Sequence, residues 1–463
     1  MAPPVPCPRR PAPVVAAALA LALAGCHDRA ADAGAAESAP LVVIAVDGLE
    51  PAIVDELLDA GRMPNLARIA ERGVLGTLHT LEPTYSPVIW TTVATGQLPQ
   101  AHGIVDFLTE DGLPFTSNCR KVPALWNIVS DAGRTVDVVG WWVSWPAEAV
   151  RGRVVASYAA QSQAQIVWKG NLWRDLPEQT YPPALAAEVE PFVGWIEDEQ
   201  DVKRAFWEAF PRPQRDPGVV PARGINDLMW TFAADRSFAA IGRHFLEHEP
   251  GDLVLVYLAI PDVAGHRFWR YWRPQDMGYA DRIPPADLAE YSDFVPSAYA
   301  ETDRMIGELV AAAPPDANVI VLSDHGMHAD LEMWNQPDNP NSGHHQDAPP
   351  GIFAAAGPLV RQRGSLLGTP RASVGDVLGV APLLLRMLEL PVPEHWPYAD
   401  RGRNPLETTL EEAWRRDHPL RIGANPDPAF REPTAARVPR EGMDQQFIEN
   451  LRALGYLDDG EDE

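Results

Sequence analysis

Continuous apolar runs that end in an acidic residue recur three times along the chain. The first run, in LVVIAVDG, ends at Asp47. The second, Leu253–Ile260, is followed by Asp262. The third, Val319–Leu322, is followed by Asp324. Uninterrupted apolar runs of about four to eight residues are typical of strands that are buried on both faces. The pattern therefore predicts three core strands, each with a carboxylate at its carboxyl end.

Helical patterns lie between these strands. In MPNLARIAERG the apolar positions Leu66, Ile69 and Ala70 share one helix face, and Gly73 provides a stop. Strands that alternate with helices predict an α/β fold, with a central and mostly parallel sheet flanked by helices. Ligands of such sheets bind beyond the carboxyl ends of the strands. We therefore expect the three carboxylates to converge at one edge of the sheet.

The second and third carboxylates are each accompanied by a histidine. His266 follows Asp262 by four residues, and His325 directly follows Asp324. Carboxylate oxygens and imidazole nitrogens suit zinc, and two such clusters suggest a two-metal site with ions about 3.5–4 Å apart. Taken singly, each acid is better explained as a helix cap or a turn residue. The combination is what favours metal binding.

A candidate nucleophile lies between the first two of these strands. In the segment Ser86 to Gly96, Ser86 fits a helix cap and Pro87 fits the first helical position. That structural role explains the serine completely. A helix N-terminus also favours a bound phosphate or an ionised serine, because it presents backbone donors and the positive end of the dipole. The two interpretations are compatible.

Five motifs stand in one order along the chain. They are LVVIAVDG, the segment Ser86 to Gly96 with His102-Gly103-Ile104 after it, IPDVAGH, LSDHG and SGHHQDAPPGIFAAAGP. Together they resemble the alkaline phosphatase superfamily, and within it they are most similar to the type I phosphodiesterase/nucleotide pyrophosphatase branch. The motifs extend from Leu41 to Pro358, about two thirds of the chain. The resemblance implies an alkaline phosphatase-like catalytic domain with a mostly parallel central sheet.

The resemblance also implies two groups of metal ligands and a nucleophile. The group that activates the nucleophile is Asp47, Asp324 and His325. The other group is Asp262, His266 and His345. His345 is preferred over His344, because the family's histidine stands two residues after a glycine, here Gly343. The implied nucleophile and additional metal ligand is Ser86, with Thr84 as a weaker alternative.

The chemistry implied by the resemblance is hydrolysis of a small phosphate ester with two divalent metal ions, zinc above all. Ser86 would attack phosphorus as an alkoxide, and the resulting phosphoserine would then be hydrolysed. A transferase that passes the phospho group to another hydroxyl would share every catalytic residue. A catalytically silent lipoprotein is a further alternative, and the intact set of six metal positions and the serine argues against it.

Two departures bear on the substrate. Nucleotide pyrophosphatases carry an asparagine twenty-one residues after the nucleophile, where this chain has Phe107, so specificity for diesters or nucleotides is open. The nearest bases, Arg120 and Lys121, are candidate phosphate contacts, and a solvated loop explains them equally well. Sulfatases need a Cys/Ser-x-Pro-x-Arg motif, whereas Pro87 directly follows Ser86 and no arginine stands in register, which disfavours a sulfatase.

The N-terminus predicts export. Arg9 and Arg10 precede an apolar run, Val14 to Ala24, that is too short to span a bilayer but fits the core of a signal peptide. The run ends in Leu-Ala-Gly-Cys, which resembles a bacterial lipobox and implies cleavage before Cys26 and lipidation of that cysteine. The alternative is an ordinary secretory signal. We expect a lipid-anchored protein of the bacterial cell envelope, on the periplasmic side of the inner or outer membrane.

The net charge of the chain limits the classes of molecule that it is expected to bind. The chain has 463 residues and a formal net charge of −26, so binding to nucleic acid through a general basic patch is not expected. An anionic substrate needs a locally positive site, which two divalent cations among three carboxylates would provide. Of the three cysteines, Cys7 lies in the signal and Cys26 is the lipidation site, which leaves Cys119 without a disulfide partner. The sequence does not indicate an oligomeric state.

These features divide the chain into four parts. They are a signal peptide (1–25), a tether (26–40), the catalytic domain (41–400) and a Pro- and Arg-rich tail (401–463) with a short docking helix in FIENLRALGYL. The catalytic domain contains a predicted Trp-rich insertion at about 157–250, which is either a cap over the site or aromatic core. The tryptophans concerned, from just before the insertion onwards, are Trp141, Trp142, Trp145, Trp168, Trp173, Trp195, Trp207 and Trp230.

Overall fold

The computed structural model describes residues 39–160, 176–194, 200–329, 338–399 and 404–424. Several predicted features lie outside the described residues. They are the signal peptide, Cys26, nearly all of the tether, Trp168, Trp173, Trp195 and the docking helix in the tail.

The strands of the described chain are short and are numbered in chain order. They are β1 (Leu41–Val46), β2 (Val74–His79), β3 (Val136–Val139), β4 (Gly152–Val155), β5 (Thr180–Tyr181), β6 (Leu253–Leu258), β7 (Asn318–Leu322), β8 (His328–Ala329), β9 (Gly343–His344), β10 (Gly351–Ala356), β11 (Gly364–Ser365), β12 (Ser373–Asp376), β13 (Val392–Pro393) and β14 (Ile422–Gly423).

The α-helices of the described chain range from one turn to eight. They are α1 (Pro51–Asp59), α2 (Pro64–Arg72), α3 (Ser86–Thr95), α4 (Pro99–His102), α5 (Leu125–Asp131), α6 (Leu185–Val189), α7 (Gln200–Ala209), α8 (Val219–Glu247), α9 (Ile260–Trp272), α10 (Pro285–Tyr291), α11 (Phe294–Ala312), α12 (Val380–Met387) and α13 (Glu412–Asp417).

One central sheet organises the described chain. Its strands follow the spatial order β11-β2-β10-β7-β1-β6-β3-β4-β5, and β12 also pairs with β2. The pairs around β1 are parallel, with β6 on one side and β7 on the other. Antiparallel pairing enters through β10, which lies between β2 and β7, and through β5 at the far edge. The predicted α/β fold with a mostly parallel sheet is confirmed, and the three predicted strands are adjacent at its centre.

Helices cover both faces of the sheet because the residues of β1 alternate between two cores. Val42, Ile44 and Val46 pack in one core with residues of α1, α2, α8, α9 and α11. Val43 and Ala45 pack in the other core with residues of α3, α5 and α12. Successive side chains of a strand point to opposite faces, so a strand with helices on both sides must be apolar throughout. This explains the uninterrupted apolar runs in the sequence.

The predicted Trp-rich insertion is not confirmed. Trp141 and Trp145, just before the predicted insertion, are buried in the core next to α3 and α5. The long helix α8, inside the predicted insertion, packs against β6 and α9 as part of the helical layer. Residues 404–424, assigned to the tail by composition, contribute Leu406 and Leu410 to the core. Among the described helices, none has the length and apolar character that crossing a membrane requires.

Candidate metal centre and active site

Three carboxylates converge at the carboxyl ends of the central strands. Asp47 directly follows β1, Asp324 lies just beyond β7, and Asp262 lies in the first turn of α9, which begins after β6. Gly48 makes this convergence possible. Its φ is +73°, and a Cβ atom there would lie only 2.7 Å from the Cα of Asp262. Glycine alone combines this conformation with so close a contact.

The first predicted ligand group is assembled in the structure. Asp47, Asp324 and His325 each offer a ligand atom within 4.8 Å of the others. Nε2 of His325 lies 3.2 Å from Oδ1 of Asp47 and 3.3 Å from Oδ2 of Asp324. All three residues are buried.

The second group lies directly beside the first. Asp262, His325 and His345 also offer atoms within 4.8 Å of one another, so His325 belongs to both groups. The rings of His325 and His345 stack with their centroids 4.0 Å apart. Nε2 of His266 lies 3.4 Å from Oδ1 of Asp262. The structure therefore brings all six predicted ligands together, and the shared position of His325 was not predicted from the sequence.

The site contains buried polar atoms that no described residue satisfies. Oδ1 of Asp47, Oδ1 of Asp262, both carboxylate oxygens of Asp324 and Nε2 of His325 make no hydrogen bond. Buried polar atoms are nearly always paired, so a cluster of such atoms indicates a ligand. Carboxylate oxygens and imidazole nitrogens are the donors that zinc and similar divalent ions take. The residues present thus fit two divalent cations.

The two adjacent histidines of the HH pair differ in their surroundings. His345 is a member of the second group, and its Nδ1 lies 3.2 Å from the hydroxyl of Thr84. Nδ1 of His344 instead accepts a hydrogen bond from the backbone N–H of Gln346. This geometry favours His345 over His344 as the ligand.

Outer hydrogen bonds orient the ligands. The indole N–H of Trp90 and the hydroxyl of Tyr257 both donate to Oδ2 of Asp47, at 3.0 and 2.5 Å. Nδ1 of His266 lies 2.8 Å from the carbonyl oxygen of Gly343, which directs Nε2 of His266 toward Asp262. Partners of this kind fix the orientation of metal ligands and commonly affect metal affinity.

The charges at the site call for a cation. Burial, and then the charge of Asp47, raise the pKa of Asp262 to about 8. The same two causes raise the pKa of Asp324 well above its ordinary value. Burial opposes protonation of His325, but Asp324 and Asp47 together raise its pKa to about 10. The raised pKa values mean that the negative charge of the carboxylates favours the uptake of protons at this site. Bound divalent ions would supply the positive charge instead.

Ser86 is the first residue of α3 and not its cap. The cap is Tyr85, whose backbone is extended and whose carbonyl accepts the first helical N–H groups, from Val88 and Ile89. The predicted capping role of Ser86 is therefore wrong by one position. Ser86 is a buried residue, and its hydroxyl makes no hydrogen bond with another described residue. The Ser86 hydroxyl therefore does not cap the helix.

The neighbours of Ser86 attach it to both ligand groups. Two residues earlier, the Thr84 hydroxyl donates to the backbone carbonyl of His345. Four residues later, Trp90 donates to Asp47. Residues four apart share a helix face, so Ser86 lies on the face of α3 that contacts Asp47. Thr84, before the serine, thus contacts the second ligand group, and Trp90, after it, contacts the first.

The two candidate phosphate contacts occupy different environments. Arg120 is buried, pairs with Glu148 at 2.8 Å and also donates to Asn127. Its guanidinium takes part in this internal network. Lys121 is exposed, and its aliphatic chain covers Gly103.

An aromatic row extends from Tyr85, the neighbour of Ser86, to Asp47 of the first ligand group. Tyr85 packs on Phe107 with ring centroids 5.5 Å apart, and Phe107 packs on Trp142 at 6.0 Å. The indole N–H of Trp142 donates to the hydroxyl of Tyr257, which in turn donates to Asp47. Tyr85, Phe107 and Trp142 are only half-buried. The row places apolar ring surface beside the site.

Two supporting residues escaped the sequence analysis. Tyr257 stands in an apolar strand, and a single hydroxyl within that run was the available signal. Asp235 lies on α8, far from any motif, and its carboxylate accepts the backbone N–H groups of Ala259 and Ile260 at 2.7 and 2.8 Å. It thereby anchors the start of α9, the helix that carries Asp262. No sequence pattern signalled this contact.

Comparison with known proteins supplies a family match. The model of the family described as type I phosphodiesterase / nucleotide pyrophosphatase matches residues 41–346. That range includes all six predicted ligands and Ser86.

Similar solved structures have low identity. Phosphonoacetate hydrolase from Sinorhizobium meliloti 1021 is 21% identical with a TM-score of 0.38, over 63% of this chain and 57% of that one. The chain thus spans little more than half of that hydrolase. Human ectonucleotide pyrophosphatase / phosphodiesterase 5 is 14% identical with a TM-score of 0.45, over 80% of this chain and 100% of that one. The 2-O GAG sulfatase BT1596 is 11% identical with a TM-score of 0.47, over 78% and 72%.

The buried Asp235 predicts a pH-dependent stability. Burial raises the pKa of Asp235 to about 8, although the N–H groups of Ala259 and Ile260 act in the opposite direction. The folded protein therefore holds this proton between about pH 4 and pH 8, where the unfolded chain releases it. The free energy of unfolding should fall across that window as pH rises, by up to about 1.4 kcal/mol per pH unit for this group.

Asp235→Asn removes the titration and keeps an oxygen that can accept both N–H groups. Urea unfolding of the metal-loaded protein between pH 5 and pH 8 should give a shallower pH dependence for the variant than for the wild type. Equal slopes for the two proteins would show that Asp235 is ionised throughout that range.

Proposed function

The chain belongs to the type I phosphodiesterase / nucleotide pyrophosphatase family, and on this premise we propose that it hydrolyses small phosphoric esters at a two-metal centre with Ser86 as the nucleophile. The observation that carries the proposal is the pair of adjoining ligand groups that share His325. The serine helix α3 is attached to both groups through Thr84 and Trp90.

Each group has a definite role in the proposal. The residues that would hold the ion next to the nucleophile are Asp47, Asp324 and His325. Those that would hold the other ion are Asp262, His266 and His345. When bound, such ions lower the pKa of hydroxyl groups and stabilise the negative charge that develops on phosphate oxygens. Zinc suits the mixture of imidazole and carboxylate donors best.

In this proposal Ser86 forms the covalent bond to phosphorus. Its hydroxyl releases a proton to solvent, its oxygen bonds to phosphorus, and the bond between phosphorus and the ester oxygen breaks. The departing ester oxygen takes up a proton from solvent and leaves as an alcohol. Water then attacks the phosphoserine, which releases the phosphate product and restores the hydroxyl. The N-terminal end of α3 favours negative charge at this position, because it carries the positive end of the helix dipole.

Thr84 suits the nucleophilic role less well than Ser86. The Thr84 hydroxyl already donates to the backbone carbonyl of His345 and lies 3.2 Å from Nδ1 of the same residue. These contacts give it a part in orienting the ligand. The Ser86 hydroxyl has no such commitment among the described residues.

The aromatic row suggests the class of ester. Phe107 and Tyr85 offer apolar ring surface next to the serine, and ring stacking contributes about 0.5–1.5 kcal/mol beyond area burial. We therefore favour phosphoric esters that carry an aromatic or other apolar group over small polar esters. The same surface suits a nucleoside or an aryl diester.

The proposed location is the bacterial cell envelope. The lipobox-like sequence that ends at Cys26 supports cleavage and lipid anchoring there, with the catalytic domain on the periplasmic side of a membrane. A two-metal esterase in that compartment, joined to the membrane by the tether, would act on soluble phosphate esters.

Replacement of the nucleophile provides the first test of the proposed function. Ser86→Ala should lower turnover of an aryl phosphodiester at least about 10³-fold, because the covalent route is lost. Thr84→Val, the matched variant that also removes a hydroxyl, should retain much more activity. Acid quenching of the wild type with labelled substrate should trap the phospho group of the substrate, with its remaining ester substituent, on Ser86, detected by peptide mass spectrometry.

Undiminished turnover of Ser86→Ala would assign the nucleophile elsewhere. The products formed with an added alcohol separate two activities that use the same residues. Release of free phosphate or phosphomonoester identifies a hydrolase, whereas quantitative transfer to the alcohol identifies a phosphotransferase.

The aromatic row gives a second test. Phe107→Ala should raise KM for an aryl phosphodiester about 2- to 13-fold, the equivalent of the stacking energy, and should leave KM for a methyl ester nearly unchanged. Phe192→Ala is the matched control, because Phe192 is also half-buried but packs on His244. An equal change in KM for both esters would rule out recognition of the apolar group by Phe107.

A further inference from the structure

The second ligand group is built from two distant parts of the chain. Asp262 and His266 lie one turn apart on α9, whereas His345 follows β9, seventy-nine residues after His266. Metal ligands must be held within a narrow range of positions to bind well. Some contact must therefore hold the segment that carries His345 against α9.

Arg270 supplies such a contact. It lies on α9 one turn beyond His266, so Asp262, His266 and Arg270 follow one another at four-residue spacing on one helix face. Its side chain is 2% exposed. Its guanidinium donates to the backbone carbonyls of Asn339 and Asn341, a few residues before His345.

Further contacts fix the register of the two segments. The backbone N–H of Ser342 donates to the carbonyl of His266 at 2.7 Å, and the Ser342 hydroxyl accepts the backbone N–H of Arg270 at 3.1 Å. A Cβ atom at Gly343 would lie 2.3 Å from the carbonyl oxygen of Gly265, so only glycine allows this approach. The segment is thus held closely along α9 just before it reaches the metal site.

We propose that Arg270 is a positioning residue that holds His345 in place for the second metal ion, a role that rests on the two-metal function proposed above. Arginine suits this role because one guanidinium nitrogen, Nη2, carries two N–H groups and donates to both carbonyl oxygens. The other group takes its ligands from the ends of β1 and β7, outside the segment that Arg270 contacts. Affinity for the second ion should therefore depend on Arg270, and affinity for the first should not.

The test measures zinc binding by calorimetry with one group disabled at a time. In an Asp324→Asn background, where the second group remains complete, Arg270→Met should weaken zinc binding about 10- to 100-fold. In an Asp262→Asn background, where the first group remains complete, Arg270→Met should leave zinc affinity unchanged. Arg270→Lys should retain part of the lost affinity, because an ammonium group can still reach one carbonyl.

Arg386→Met is the matched control for loss of a buried arginine. Arg386 is 6% exposed, donates to the backbone carbonyl of Arg415 and lies 5.7 Å from the ring of Trp414. Arg270 likewise donates to backbone carbonyls and lies 5.6 Å from the ring of Tyr279, whereas Arg386 in addition pairs with Glu407 at 3.4 Å. Arg386→Met should leave zinc affinity unchanged in both backgrounds.

The outcomes separate this inference from the proposed function. If the wild type itself fails to bind two ions, the two-metal function is wrong. If the wild type binds two ions and Arg270→Met weakens neither group, or weakens both equally, the positioning role is wrong. If Arg270→Met does not fold, Arg270→Lys decides the question, with a smaller loss expected in the Asp324→Asn background alone.

Discussion

The structure depends on keeping three carboxylates close together in a buried position. Asp47, Asp262 and Asp324 repel one another, and burial adds to the cost of their charges, as the raised pKa of Asp324 shows. The fold allows this arrangement because β1 lies between two parallel neighbours, β6 and β7. The carboxyl ends of all three strands therefore lie at the same edge of the sheet. Bound divalent cations would relieve the repulsion, and they would also make this acidic region attract phosphate.

Support for this cluster comes from all sides of the fold. Tyr257 and Trp90 hold Asp47, Asp235 anchors the start of α9, and Arg270 ties that helix to the segment bearing His345. Gly48 permits the approach of Asp262 to the end of β1. The hydroxyl of Ser86, the proposed nucleophile, makes no hydrogen bond with another described residue. In the proposal this hydroxyl is activated by a metal ion that Asp47, Asp324 and His325 would hold, which is one of the ways in which enzymes activate a serine.

The sequence contained much of the fold and of the ligand set, for physical reasons. Strands buried on both faces must be apolar, and the acids that end them break the pattern, so Asp47, Asp262 and Asp324 were visible. Asp235 and Arg270 were not, because they act through backbone groups distant in sequence that any residue could provide. The capping role predicted for Ser86 was off by one residue, because cap and first helical position differ only in backbone angles.

Anomalous diffraction at the zinc absorption edge, from crystals of the full chain grown with zinc, tests the central claim most directly. Two peaks about 3.5–4 Å apart are expected. One should lie among Asp47, Asp324 and His325, and the other among Asp262, His266 and His345. A single peak, or zinc bound elsewhere with these residues hydrogen-bonded only to protein and water, would contradict a two-metal active site.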